Sequence, residues 1–154
     1  MAKPPLRDRS SNIASGLELF SKGQARKRGS SPKLILWNNA LVNAPSLQTF
    51  AQAYADGAWW GRLVENAVGA FLLNHLQGSL WSVTYWRDAS EEVDFVVSHG
   101  AHTWAVEVKS GRADKTSGLS AFRRRYPQAK VWLVGDSGLP LMEFFSRPAQ
   151  EWFA

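Results

Sequence analysis

The sequence predicts an α/β fold, one domain in which a mixed sheet is flanked by helices. Three observations predict it. Apolar residues between positions 58 and 76 recur every three to four residues, the period of a helix with one buried face. Three short runs between 82 and 109 alternate apolar and polar residues, as half-buried strands do. KVWLVG, at 130–135, is nearly all apolar and follows a short helical segment, which is the pattern of a buried parallel strand. A chain of 154 residues is long enough to build one core around these elements.

Residues 1–33 are polar and rich in Pro, Gly and Ser, with only SGLELF patterned like an ordered element. They read as a basic N-terminal arm, and 34–154 as the folded domain. KLILW, at 33–37, reads as a short strand. Ser46 is placed to cap a helix running to Asp56. The helix Ala58–Leu76 follows, with Val64, Ala67, Val68, Phe71, Leu72 and His75 on its apolar stripe and Gly78 at the C′ position. Glu65 lies in line with Gly61, Val68, Gly69 and Leu72. Small residues there let another element come close, so Glu65 is expected to be partly buried. Ser82–Arg87, Glu92–Ser98 and Thr103–Lys109 form a strand meander. Ser117 caps a helix, GLSAFRRRY, that ends before Pro127. Strand 103–109, this helix and strand 130–135 make a right-handed βαβ unit. A last helix starts after Pro140, in PLMEFFSR.

The hairpin at 93–110, VDFVVSHGAHTWAVEVKS, holds three charges inside two apolar runs. A two-residue loop with Gly first suits a type II′ turn, so Gly100-Ala101 is the natural loop and His99 faces His102. Asp94 then faces Glu107, and Glu92 faces Lys109. One side of the hairpin becomes Val93, Phe95, Val97, Trp104, Val106 and Val108. The other carries Glu92, Asp94, Val96, Ala105, Glu107 and Lys109. A one-residue slip would exchange the faces.

Two like charges opposite each other destabilise a sheet, and burial keeps one of the acids protonated. A divalent cation removes both problems. Mg²⁺ favours one or two carboxylates with waters and phosphate oxygens as its other ligands, and Mn²⁺ takes the same donors. Asp94 and Glu107 are therefore the candidate metal ligands. Lys109 is a candidate to orient a water or stabilise charge developing on a phosphate. The plainer alternative is an exposed sheet face on which Lys109 pairs with Glu92 or Glu107.

The net charge of +5 is uneven. Residues 1–33 hold eight Lys/Arg against two acids, and the remaining residues hold ten against eleven. Such an arm attracts nucleic acid by counterion release or is simply a solvated tail. Arg112, Lys115, Arg123, Arg124 and Arg125 are candidate phosphate contacts, with a solvated helix face as the alternative. His99 and His102 flank the turn and are expected to be exposed. His75, on the apolar stripe, is expected to be packed. Trp59 and Trp60 read as core packing, with a partner anchor or base stacking as alternatives. There is no Cys, hence no disulfide framework or thiolate metal site. No stretch approaches the ~20 apolar residues that span a bilayer, and MAKPPLRDRS lacks the apolar core of a secretory signal. A cytoplasmic location without membrane contact is the expectation.

The order helix acid, Asp, Glu-x-Lys, helix, buried strand resembles the PD-(D/E)XK nuclease superfamily. Matched by position, Glu65 takes the helix acid's place, Asp94 the motif Asp, and Glu107 and Lys109 the (D/E)XK pair. The proline that precedes the Asp in that motif is Val93 here. RGSSPKLILWNNALVNA, GRLVENAVGAFLLNHL, TYWRDASEEVDFVV, AVEVKSG, GLSAFRRRYPQAKVWLVG and GLPLMEFF, covering most of 15–147, resemble the C-terminal domain of unknown function that follows the ATPase module in many prokaryotic AAA-type ATPases. NNAL, at 38–41, departs from the Asp-Thr-Gly-Leu form often seen there. The ATPase phosphate loop G-x-x-x-x-G-K-[ST] is absent from this chain, so no ATPase activity is expected of it.

The resemblance implies a restriction-endonuclease-like mixed sheet flanked by helices. It also implies a Mg²⁺- or Mn²⁺-dependent nuclease-like domain acting on DNA more readily than RNA, with Glu65, Asp94, Glu107 and Lys109 as the catalytic set. The alternative is a non-catalytic module that binds nucleic acid or protein and works with an ATPase partner. A Trp-rich domain parted from its ATPase also exposes a face suited to self-association.

Overall fold

The computed structural model describes residues 13–21, 31–76, 80–111 and 116–154. The expected cap at Gly78 and the candidate phosphate contacts Arg112 and Lys115 lie outside them. The sheet is four-stranded and mixed. β3 (Trp81–Asp88), β4 (Glu91–His99) and β5 (His102–Lys109) form an antiparallel meander, and β6 (Lys130–Gly135) lies parallel to β5. The crossover between β5 and β6 is helix α4 (Ser117–Arg125). A two-stranded antiparallel ribbon, β1 (Ala14–Leu17) with β2 (Lys33–Leu36), precedes it. β1 falls in the stretch read as an arm, and Lys33, counted with the arm's basic residues, opens β2.

Three helices lead from the ribbon to the sheet. They are α1 (Ala40–Asn43), α2 (Phe50–Ala55) and the long α3 (Gly57–Leu76), with a 3₁₀ turn at Ala44–Ser46. Two short helices, α5 (Leu141–Phe144) and α6 (Ala149–Trp152), close the chain. The order of α3, a three-strand meander, α4 and a parallel strand gives the mixed sheet flanked by helices that the sequence predicts. Among the described residues no helix is long and apolar enough to cross a membrane.

Several boundaries differ from expectation. Ser46 does not cap α2; its hydroxyl donates to Asn43 O and closes the preceding turn, and Leu47 then takes φ 54°. Thr49 is the cap instead. It forms a reciprocal box with Gln52, each side chain accepting the other's backbone N–H. Ser117 is the first residue of α4, not its cap. The helix expected after Pro140 is α5, and a further short helix, α6, follows after Pro148.

The hairpin keeps the register expected from its loop. Gly100 has φ 58°, His99 pairs with His102, and the pairing runs unbroken to Phe95 and Val106. There β4 bulges. Against β3, Thr84 pairs with Val96 but Trp86 pairs with Val93, so Asp94 and Phe95 together oppose Tyr85. The extra residue inverts the alternation. Val93 therefore leaves the side of Phe95 and Val97, where the even register had placed it.

Each sheet face has its own core. On one, Val64, Val68, Leu72 and Leu76 of α3 pack on Phe95, Val97, Trp104 and Val106, with Phe144 and Phe153 beside them. On the other, Leu119 and Phe122 of α4 pack on Trp86, Val93, Val96 and Ala105. Gly118 sets the second contact: a Cβ there would fall 1.9 Å from the Glu92 carbonyl oxygen. Gly118→Ala must push α4 off β4 and is expected to cost ~1–3 kcal/mol, the usual range for overpacking. Urea unfolding is the check, and an unchanged midpoint would show that the contact tolerates a methyl group.

Candidate functional site

Lys33 reaches the site because of strand and helix periods. Residues two apart on a strand share a face. Ile35 of β2 is buried against Gly69 of α3, where a Cβ would sit 2.9 Å from Ile35 Cδ1. One strand pair earlier is Lys33, and one helical turn earlier is Glu65. Lys33 Nζ meets Glu65 Oε1 at 2.6 Å. Asn66 fastens the strand alongside, accepting from Leu36 N and donating to Leu36 O.

Asp94 reaches the site because of the bulge. The regular β4–β5 pairs end at Phe95 and Val106. Beyond them Asp94 Oδ2 accepts the Val108 N–H at 2.9 Å, a side chain standing in for the next backbone acceptor. Asp94 Oδ1 accepts from Lys33 Nζ at 3.0 Å, and the Asp94 carbonyl accepts from the same ammonium at 3.3 Å. Glu92 Oε1 lies 3.6 Å from Lys33 Nζ, while its other oxygen takes Arg87 Nη2 at 2.6 Å.

Glu107 and Lys109 share one side of β5, two residues apart. Lys109 Nζ donates to Glu107 Oε1 at 2.7 Å. Glu107 is only 7% exposed, and its Oε2 is buried with no hydrogen-bond partner. An unpaired buried carboxylate oxygen is costly. Four carboxylates, Glu65, Glu92, Asp94 and Glu107, thus surround two ammonium groups. Among the described residues no group of three or more His, Asp or Glu is set to hold a metal ion. Of these carboxylate oxygens, Glu107 Oε2 is the buried one that has no partner.

The model of a domain of unknown function, DUF4143, matches residues 60–141, more than half of the chain. This chain belongs to that family. The match spans α3, the meander, α4 and β6, and so takes in Glu65, Asp94, Glu107 and Lys109, while Lys33 lies before it. No curated protein matches the chain. The crystal structure of an XisH family protein from Nostoc punctiforme PCC 73102 is similar over 53% of this chain and 78% of that one, at 19% identity and a TM-score of 0.28.

In this DUF4143 domain the sequence-derived acids and Lys109 fall into one electrostatic cluster. Burial pushes Glu65 up from the ordinary glutamate range, the Asp94 charge adds to it, and Lys33 opposes it. Burial likewise pushes Glu107 up, again with Asp94 adding and Lys109 opposing. For Lys33 burial works against the charge, but Asp94 and Glu65 outweigh it and hold the ammonium above the ordinary lysine range. Lys109 is raised in the same way, against a smaller burial, chiefly by Glu107. Lys33 is the member that sequence reasoning missed. Its signal was a lysine opening an otherwise apolar strand, two residues before a buried Ile.

Other candidate residues lie apart. Arg123, Arg124 and Arg125 are exposed on α4, with Arg125 Nη1 3.9 Å from Asp88 Oδ2. Ser120, Arg123, Arg124 and Pro127 line a shallow groove there. His75 is exposed and not packed, because Leu72 and Leu76 take the buried face; its ring rests on Phe71. His99 is half-buried, stacked on Trp81, and His102 is exposed. Trp60 meets Phe50 and Tyr54 edge-on, and Trp59 Nε1 donates to Asn43 Oδ1.

Glu107 gives the site a pH signature. A carboxyl whose folded value is raised binds its proton more tightly folded than unfolded, so stability falls as pH rises from the ordinary glutamate range through the raised value. The raised lysines lose their contribution only above the ordinary lysine range. Relative to wild type, Glu107→Gln is therefore expected to gain stability steadily as pH climbs from acid toward neutral in metal-free buffer. Urea midpoints of both proteins across that range test it; a pH-independent difference would mean that Glu107 is not held up.

Proposed function

We propose that this chain is a divalent-cation-dependent nuclease-like domain that hydrolyses phosphodiester bonds, with DNA as its substrate. The observation that carries the reading is the buried, unpartnered Glu107 Oε2, set beside Lys109 and under the influence of Asp94. Asp94 and Glu107 would hold Mg²⁺ or Mn²⁺. Bound there, the cation supplies charge neutralisation for a phosphate group. Lys109, one-third exposed and paired with Glu107 alone among the described residues, donates to a phosphate oxygen or orients the attacking water. Glu65 acts on Asp94 through the Lys33 ammonium that both share. The exposed arginines of α4 supply phosphate contacts that position the substrate without reading sequence. The resemblance to PD-(D/E)XK nucleases supports the same assignment of Glu65, Asp94, Glu107 and Lys109.

A second reading has its own support. Lys33 already neutralises Asp94, whose two carboxylate oxygens both have partners, and Val93 stands where the nuclease motif has proline. A non-catalytic module that binds nucleic acid and works with an AAA-type ATPase would need no more than this.

A plasmid nicking assay separates the two. Wild type is compared in Mg²⁺, Mn²⁺ and EDTA, beside Lys109→Met. The nuclease reading expects products only with metal, falling by ~10²-fold or more in the variant. Equal cleavage by the variant would remove Lys109 from the chemistry. No products with any metal, from folded protein that still binds DNA in a salt-dependent way, would favour the binding module.

A further inference from the structure

The Lys33 ammonium is ringed by oxygen atoms from two elements. Its oxygen neighbours are Glu65 Oε1 at 2.6 Å, Asp94 Oδ1 at 3.0 Å, the Asp94 carbonyl at 3.3 Å and Glu92 Oε1 at 3.6 Å. Carboxylates mixed with a backbone carbonyl are the donors that hard divalent cations select. The ring of Phe95 closes another side, its centroid 5.1 Å from Nζ. An ammonium offers three donors, and the two carboxylates and the carbonyl satisfy all three.

We infer that Lys33 is a tethered stand-in for a cation, and that a divalent metal enters this site only by displacing its ammonium from Asp94 and Glu65. The inference rests on the reading of Asp94 and Glu107 as cation holders and adds a gate to it. Asp94 Oδ2 is committed to the Val108 N–H, so Oδ1 is the atom left for a metal, and Lys33 occupies it. Displacement is mechanically simple. Lys33 is the first residue of β2, its stem carries four rotatable bonds, and its departure breaks no backbone pair of the ribbon. An acid site guarded in this way binds metal weakly until the lysine leaves, because the competent state is a minor one.

The test measures metal binding directly. Mn²⁺ is titrated calorimetrically into the full chain as wild type, Lys33→Met and Lys33→Arg. Lys33→Met is expected to bind ~10-fold tighter or more, the factor set by a competent state populated at ~10% or less. Lys33→Arg, which keeps a cation in place, is expected to stay weak. In parallel, amine acylation of wild type is read by mass spectrometry, with the exposed Lys130 as reference. Mn²⁺ is expected to raise the Lys33 rate several-fold and leave Lys130 unchanged. Measurable Mn²⁺ binding that is equal or weaker in Lys33→Met overturns the gate and leaves the cation site standing. No binding in any folded protein overturns both. Should Lys33→Met fail to fold, an unchanged Lys33 acylation rate at the highest Mn²⁺ concentration overturns the inference by itself.

Discussion

One half-buried ammonium holds the site together. Lys33 joins three segments far apart in the chain: β2, α3 through Glu65, and β4 through Asp94. Neither side of this contact is tolerable alone. A lysine in this position without acids would be an unpaired interior charge, and the acids without the lysine would repel one another. The consequence is positional. β2 cannot slide along α3 without pulling Lys33 off Glu65, so the electrostatic contact fixes the register that Ile35 and Gly69 make by packing. The β1–β2 ribbon is thereby part of the domain and not an appendage to it.

The bulge in β4 is the second constraint, and it works with the first. An unbroken β4–β5 ladder would leave Asp94 as one more residue on a flat face. The extra residue opposite Tyr85 turns Asp94 toward β5, where its carboxylate takes the Val108 N–H. Bulges re-aim side chains in this way, often next to functional sites. Val108 lies between Glu107 and Lys109, so the hydrogen bond also sets the two side chains of that strand relative to Asp94. Packing on the far side completes the support, because Gly118 lets α4 touch the Glu92 carbonyl two residues before the bulge.

Much of this was legible in the sequence wherever period and turn chemistry decide the outcome. Gly100 fixes the loop, the loop fixes the pairing of His99 with His102, and five consecutive pairs follow from it. The small residues Gly61 and Gly69 mark the side of α3 that meets the sheet, and Glu65 lies between them. What escaped was non-local. A bulge has no residue signature here, so Val93 was placed on the wrong side. Lys33 opens a strand of only four residues, and alternation in so short a run gives a face but not the helix that the face will meet. Capping at Thr49 was readable, since Thr-x-x-Gln is a capping box. Ser46 competed for the role because its own bond to Asn43 O arises only in the folded turn.

The two lysines differ in what they are free to do. Lys33 has all its donors engaged and sits under a helix, whereas Lys109 is one-third exposed and, among the described residues, pairs with Glu107 alone. In a site with more carboxylates than ammonium groups, the deficit of positive charge is local. It falls at Glu107, whose second oxygen has no partner although Lys109 holds the first. A group that brings charge to Glu107 Oε2 would relieve that atom and release part of the demand on Lys109. The same group would weaken the hold of Asp94 on Lys33. Asp94 thus links the two lysines: it holds Lys33 directly, and its charge bears on both Glu107 and Lys109.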